Sequence, residues 1–264
     1  MVARGLALRA LLALLALGLG ACSGKPRTEE PAPGPVTPGD AAPADALAIH
    51  DATGAGAGSG DLQVRVEWPD VPVAARRPPG HTPCGTPRAP LAEPTTTWGI
   101  PDALVIVDGS SPPLAAAHIT LADCALTPRV VVGSSLAITS AADRPARVIL
   151  RKRGTRASLA QLIAGDPIPV MLPIAGHTVT VSLEPDAVYT VETDAADPEV
   201  AYIAAIAGYI TDGSGQITAR GLAAGPHAVT AWLPPRAGHS VRTGRGTATV
   251  AAGDLAELTV TLAP

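Results

Sequence analysis

The sequence predicts an all-β protein built from antiparallel sandwiches. Short segments rich in Val, Ile and Thr recur about every 10 to 15 residues, and Gly, Pro and Asp separate them. Several segments alternate apolar and polar residues, which is the period of a half-buried strand. Only residues 157–164 (ASLAQLIA) favour a short helix. Phe is absent and Trp and Tyr number three each, so we expect a core of Val, Ile, Leu and Ala.

The predicted strands follow one another through the body of the chain. In order, they are residues 64–68, 104–107, 129–132, 136–139, 147–150, 177–183, 187–192, 216–219, 228–232, 247–250 and 255–262. Between strands, Asp212 can bond backbone N–H groups of its own turn, and Gly215 and Gly225 can take positive φ.

Residues 1–21 have the three parts of a secretory signal. Arg4 and Arg9 supply positive charge, residues 11–19 form an apolar run, and small residues precede the predicted cleavage point. The run is shorter than the roughly 20 residues that a membrane-spanning helix needs. A plain secretory signal and a short transmembrane anchor are the alternatives to the interpretation that follows.

Leu19-Gly20-Ala21-Cys22 resembles the lipobox of bacterial lipoproteins. The resemblance implies that Cys22 is lipidated, becomes the mature N-terminus and attaches the protein to a membrane of the cell envelope. The non-acidic Ser23 favours the outer membrane. Residues 22–60, dominated by Pro, Gly and Ala, cannot bury enough apolar surface to fold, so we expect a disordered tether.

Two cysteines remain beyond Cys22. Outside the cytoplasm, Cys84 and Cys124 are expected to form a disulfide, which by the chain-entropy model contributes roughly 4 kcal/mol. The alternative is a reactive or metal-binding thiol, since His81 lies three residues before Cys84.

Charge gives little indication of a partner. The net charge of −4 does not favour nucleic acid. The basic run 151–153, with Arg156 nearby, either faces an anionic surface or forms a solvated hairpin tip.

The body resembles a family of bacterial secreted proteins, some of them methylamine utilisation proteins, in which a cupredoxin-like domain precedes a carboxypeptidase-regulatory-like domain. The stretches that match, in order, are LQVRVEW, Cys84-Gly85, ALVIVDG, DCALTPRVVVGSSLAI, ADRP, LPIAGHTVTVSLEPDAVYTV, TDGSGQI and GLAAGPHAVTAWLPP. The resemblance implies a cupredoxin-like Greek-key sandwich over residues 61–204, followed by a small prealbumin-like sandwich over residues 205–264.

The resemblance also implies where copper ligands would stand. A blue-copper site needs a thiolate, two imidazoles and a weak axial group. In this chain Arg147 occupies the first His position, Thr193 the Cys position and Asp197 the second His position, and no Met follows. We therefore expect no metal, no cofactor and a degenerate copper site. Arg147 would instead pair with Asp194 or Asp197, unless these groups are simply solvated. A calcium site of Asp194, Asp197 and Glu199 is a weaker alternative.

No nucleophile elbow, zinc-protease helix or phosphate-binding loop is present, and the scattered histidines favour no catalytic pair. His177 and His227 are expected on the surface at strand ends. The predicted function is therefore a non-enzymatic, lipid-anchored envelope protein that binds an envelope protein or polymer, or has a structural role. The alternatives are a copper or electron-transfer lipoprotein with atypical ligands, and a hydrolase.

Overall fold

A computed structural model describes residues 58–69, 71, 80–82, 84–88, 99–235 and 239–263. The described residues form sixteen strands and one short 3-10 turn, Arg156–Ser158, and they contain no α-helix. The strands are β1 Ser59–Glu67, β2 Leu104–Val107, β3 Ala116–Ala122, β4 Ala125–Thr127, β5 Val130–Val132, β6 Ser135–Ser140, β7 Ala146–Thr155, β8 Pro167–Leu172, β9 Thr178–Ser182, β10 Ala187–Thr193, β11 Val200–Ala204, β12 Tyr209–Ile210, β13 Gln216–Ala223, β14 Gly225–Leu233, β15 Arg242–Val250 and β16 Leu255–Thr261. The predicted all-β class is confirmed.

Strands from both ends of the described chain build one sandwich, which we call the terminal sandwich (β1, β2 and β12–β16). Its two sheets have the strand orders β13-β1-β16 and β12-β2-β14-β15. Alternate residues of β1, Leu62, Val64 and Val66, are fully buried between these sheets. This alternation is what the sequence pattern of β1 predicts, because successive side chains of a strand point to opposite faces.

The middle of the chain forms a second sandwich, the inserted sandwich (β3–β11). Its sheets have the orders β5-β11-β10-β7-β8 and β4-β3-β6-β9. The pairs β3–β6 and β11–β5 are parallel and the other pairs are antiparallel. A separate core fills this sandwich, with Ile119, Leu136, Leu150 and Ile203 among its most buried members.

A third apolar cluster joins the two sandwiches. Leu104 and Ile106 of β2 face away from the terminal core and pack in one cluster with Val188 and Trp232. The Trp232 Nε1–H group donates to the Leu159 carbonyl oxygen at 2.8 Å. All four residues of β2 are therefore buried, two on each face.

The strand pairing does not follow the predicted linear division at residue 204. Strands β1 and β2 lie within the range 61–204, yet β1 pairs with β13 and β16, and β2 pairs with β12 and β14. The physical reason is that β1 is the central strand of one sheet that covers the terminal core. Without β1, the strands β13 and β16 would have no neighbour in that sheet.

The turn predicted around Asp212 is confirmed, whereas residues 157–164 form no α-helix. Asp212 does bond its own turn, since its Oδ1 accepts from Ser214 N and Gln216 N at 2.9 Å each, and Gly215 and Gly225 have φ of 78° and 139°. Residues 157–164 are the one stretch whose sequence favours a short helix, and they do not form one. The Ile163 N–H group instead donates to the Arg153 carbonyl of β7, 2.8 Å away.

Candidate functional site

An open cleft lies at one end of the inserted sandwich. Its volume is 1360 Å³, and it is bordered by the β3–β4 turn, the β6–β7 loop and the start of the β10–β11 loop, with Met171 and Cys84 at its edge. Arg147 stands near the start of β7, and Thr193 ends the neighbouring strand β10. The antiparallel register pairs Thr193 with Val148, so the two predicted copper positions reach the same end of the sheet.

Arg147 pairs with Asp194, one of the two partners expected from the sequence. Arg147 Nη2 lies 2.7 Å from Asp194 Oδ2, and its Nε donates to the same oxygen at 2.8 Å. The two side chains are 49% and 47% exposed, so water screens this pair and its contribution to stability is small.

Thr193 is buried and serves the backbone of the loop. Its Oγ1 accepts from the Glu199 N–H group at 2.8 Å, and its own N–H group donates to the Glu199 carbonyl at 2.9 Å. These two hydrogen bonds close residues 194–198 into a loop. Residues 193–199 include no Cys, Met or His that could bind copper through sulfur or imidazole.

A stronger ionic tie, which the sequence did not indicate, holds the same loop. Arg88 Nε contacts Glu199 Oε1, and Arg88 Nη1 lies 2.8 Å from Asp197 Oδ2. Arg129 Nη2 is 3.9 Å from the second oxygen of Glu199. Glu199 is only 7% exposed, and the Arg88 side chain is only 12% exposed.

The electrostatics of this tie favour its charged form. The hydrogen bonds to Asp197 and then to Glu199 raise the pKa of Arg88 above its ordinary value, against the lowering effect of burial. Because Glu199 is buried, removing Arg88 would leave its carboxylate with Arg129, 3.9 Å away, as the single positive charge that an ion pair gives it.

A compact segment, residues 80–82 and 84–88, brings Arg88 to this position. The Thr82 N–H donates to the Thr86 carbonyl at 2.7 Å, and the Arg88 N–H donates to the Gly80 carbonyl at 2.9 Å. The Thr82 and Thr86 hydroxyls both donate to the Asp123 carbonyl of the β3–β4 turn, at 3.1 and 3.2 Å.

The predicted disulfide completes the attachment of this segment. Cys84 and Cys124 are bonded, and the 5.6 Å between their Cα atoms lies in the range usual for disulfides. The bond links the segment to the same turn, whose residues Asp123 and Cys124 have φ of 47° and 61°. Neither cysteine is free, so the alternative of a metal-binding thiol beside His81 is excluded in this structure. Cys22 lies outside the described residues.

Copper does not fit the residues at the predicted positions. Arg147 cannot be a ligand because a guanidinium has no lone pair to offer, and Thr193 Oγ1 is engaged by a backbone donor. Asp197 belongs to the Arg88 tie rather than to a pocket shared with Thr193. The calcium alternative meets the same obstacle, because Asp194, Asp197 and Glu199 each bond an arginine. Within the described part of the chain, no group of three His, Cys, Asp or Glu residues converges as metal ligands do.

Residues 151–153 and Arg156 are not a solvated hairpin tip. Residues 151–153 lie within strand β7, and each charge has a carboxylate close by. Arg151 and Arg153 lie 3.3 and 4.0 Å from Glu192, Lys152 contacts Glu184, and Arg156 lies 2.7 Å from Asp108. These contacts neutralise most of the run, which leaves little charge for an anionic surface.

The two histidines expected on the surface differ. His177 is exposed, as predicted, but His227 is only 7% exposed, so its surface assignment is wrong. His227 faces two backbone carbonyls, of Asp108 and Ala223, each at 2.7 Å.

Comparison of the chain with protein-family models, with curated proteins and with solved structures gives no match. Among the described residues, no helix has the length and apolar character required to cross a membrane.

Proposed function

We propose that the protein is a non-enzymatic lipoprotein of the bacterial envelope that binds a partner at the cleft of a cupredoxin-like sandwich without copper. The observation that carries the proposal is which side chains stand at the positions of the resembled family's copper ligands, and which groups they bond. At two of the positions where the resembled family has copper ligands, Arg147 pairs with Asp194 and Thr193 is hydrogen-bonded to the backbone of Glu199.

The strand arrangement supports the cupredoxin-like part of this proposal. In the inserted sandwich, the chain passes between the two sheets after β4, β5, β6, β8 and β9, and its sheets include the parallel pair β3–β6. Repeated crossing between two sheets is what a Greek-key sandwich requires, whereas a simple meander stays in one sheet.

The regulatory-like part draws its support from the motif around Asp212. Thr211 is buried, and its hydroxyl accepts from Ala103 N at 2.8 Å and donates to the Ile100 carbonyl at 2.7 Å. Gly215 packs against the backbone of Ile100, so a Cβ atom at position 215 would lie 2.5 Å from Ile100 N. The matched Thr-Asp-x-x-Gly motif therefore has a defined structural role in the terminal sandwich.

Elemental analysis tests the absence of copper chemistry. We expect the mature protein, purified with its disulfide intact and then incubated with copper and dialysed, to retain far less than one copper per chain. It should also lack an intense visible absorption band. Stoichiometric copper that is lost on substitution of Thr193 or Asp197 would instead support the electron-transfer alternative.

Labelling in bacterial cells tests the membrane anchor. Radiolabelled fatty acid should enter the wild-type protein and should be absent from the C22S variant, because the predicted acyl chains bond to the sulfur of Cys22 and the new N-terminus. An exported, unlabelled wild-type protein would favour a plain secretory signal.

A further inference from the structure

Three charged side chains of the cleft have no partner within the described residues. Arg147 and Asp194 neutralise each other, but no hydrogen bond or ion pair in the described part of the chain takes up the side chains of Asp123, Asp143 or Arg144, although all three line the cleft. The cleft thus offers one unused guanidinium and two unused carboxylates. All three side chains are exposed, so a ligand that carries both an anionic and a cationic group would complement them.

The remaining walls are apolar and mostly small. Five alanines line the cleft, Ala122, Ala141, Ala142, Ala146 and Ala195, together with Leu121, Pro145 and Met171. Short side chains leave room beside the backbone, and the exposed thioether of Met171 can adapt to different apolar groups. The volume of 1360 Å³ exceeds the roughly 300–1,000 Å³ of most small-molecule pockets, so the cleft can hold an extended chain of several small units.

We infer that the cleft binds a short peptide of small residues that carries both a free amino group and a free carboxylate. Arg144 would bind the carboxylate, since its planar guanidinium can form two parallel hydrogen bonds with it. Asp143 and Asp123 would bind the ammonium group. This inference rests on the proposed binding function and specifies its ligand class, and the binding involves no covalent step.

Calorimetric titration of the full-length mature protein in detergent micelles tests the inference with three probes. These are trialanine, N-acetyl-trialanine and trialanine amide. We expect trialanine to bind, and we expect loss of either terminal charge to weaken binding roughly tenfold, as the loss of one charge-assisted hydrogen bond does.

Charge-neutral variants assign each end of the peptide. R144Q should weaken trialanine binding roughly tenfold but leave the affinity for trialanine amide unchanged, because the interacting carboxylate is already absent from the amide. The D123N/D143N variant should behave in the same way toward N-acetyl-trialanine. The control is R245Q, which removes an exposed arginine from β15 outside the cleft. Thermal melting of each variant verifies that it is folded.

Two results would overturn the inference. One is the absence of trialanine binding to the folded wild-type protein. The other is an R144Q variant that loses affinity equally for trialanine and its amide, since this would show that Arg144 does not contact the carboxylate. Either result leaves the copper analysis and the fatty-acid labelling untouched, so failure of this inference is separable from failure of the proposed function.

Discussion

At the scale of single residues, His227 is held in a way that selects its protonation state. Its two ring nitrogens lie 2.7 Å from the carbonyl oxygens of Ala223 and Asp108. A neutral imidazole has one N–H group, so only the imidazolium form can donate to both carbonyls. The hydrogen bonds to Ala223 and then to Asp108 raise the pKa of His227, against the lowering effect of burial, and the Asp108 carboxylate adds to the rise. The Asp108 carboxylate also lies 2.7 Å from Nη2 of Arg156.

This geometry predicts a pH dependence of stability. Because the folded-state pKa of His227 is raised, its contribution is fully present below the unfolded value of about 6.5 and is lost as pH rises through the folded-state pKa. The free energy of unfolding of the wild type should therefore exceed that of H227Q by more at pH 5.5 than at pH 8.5, as urea denaturation would measure. An equal difference at both pH values would show that the imidazolium is not the stabilising form.

Asp212, in the terminal sandwich, should give the opposite pH dependence of stability. Partial burial acts to raise the pKa of Asp212, but hydrogen bonds from Gln216, Ser214 and Gly215 together lower it below its ordinary value. Its contribution is therefore present above the unfolded pKa and lost as pH falls through the folded-state pKa. We expect D212A to reduce the free energy of unfolding at pH 7 by about 1 kcal/mol. D166A is the matched control, because Asp166 is exposed and no side-chain bond of it is identified in the described residues. Equal losses in both variants would contradict the turn assignment.

At the scale of elements, the β10–β11 loop depends on Arg88 much more than on Arg147. Glu199 is buried and bonded to Arg88, whereas the Arg147–Asp194 pair is half exposed. Breaking a buried ion pair from one side costs about 3–5 kcal/mol, and an exposed pair contributes about 0–1 kcal/mol. We therefore expect R88M to lower the free energy of unfolding by several times as much as R147M in denaturant titrations.

A double-mutant cycle separates the ion pair from simple loss of packing. In R88M the buried Glu199 keeps only the longer contact with Arg129. R88M/E199L should therefore be less destabilised than the sum of the single variants, because the poorly compensated charge is removed as well. Additive losses, or a loss in R147M as large as that in R88M, would contradict the assignment of Arg88 as the principal tie.

The disulfide and Arg88 should act together, since both attach the segment of residues 84–88 to the inserted sandwich. The Cys84–Cys124 bond spans 40 residues, for which the chain-entropy model gives roughly 4 kcal/mol. In C84S/C124S the segment loses its covalent link, so Arg88 should dissociate more readily from Glu199. R88M should then cost less in the C84S/C124S background than in the wild type. An unchanged cost would mean that the hydrogen bonds of Thr82 and Thr86 hold the segment alone.

The same elements show what the sequence can and cannot predict. The sequence predicts strands with clear alternation, such as β9 and β10, to within one residue of their observed bounds, but it places the start of β1 five residues too late. Strand β8 was missed because Pro167 and Pro169 interrupt its pattern, and prolines are tolerated there only because β8 is an edge strand. Strand β11, Val-Ala-Tyr-Ile-Ala, was also missed, although a continuous apolar run is typical of a strand buried on both faces.

The sequence predicts one ion pair of the candidate site and misses the other. The sequence predicts the Arg147–Asp194 pair because the family resemblance places Arg147 and the loop that contains Asp194 at the same site, although the two residues are 47 apart in the chain. Arg88 and Glu199 are 111 residues apart. Their pairing depends on how the disulfide attaches residues 84–88 to the inserted sandwich, and no local sequence pattern encodes that attachment. The unpaired Asp123, Asp143 and Arg144 likewise come together only through the turns that border the cleft.

At the scale of the whole molecule, the chain leaves the terminal sandwich after β2 and returns to it at β12. A linear division at residue 204 could not predict this arrangement, because β1 pairs with strands more than 150 residues away, as in the Gln63–Gln216 side-chain bond across 153 residues. The described strands belong to one compact unit, residues 52–264. The third apolar cluster joins the two sandwiches of this unit. In it, Trp232 contacts Tyr202 edge to face with 5.9 Å between the ring centroids.

This arrangement predicts cooperative unfolding that depends on Trp232. The wild type should unfold in a single calorimetric transition, because the third cluster packs buried side chains of the two sandwiches together. W232A removes a fully buried side chain at this interface and should cost about 3–5 kcal/mol. It should also split the transition in two, as the sandwiches begin to melt separately. L136A is the control, since Leu136 lies only in the core of the inserted sandwich, and this variant should shift that sandwich without the same loss of interface. Two resolved transitions in the wild type, or one unbroken transition in W232A, would contradict a coupling through this cluster.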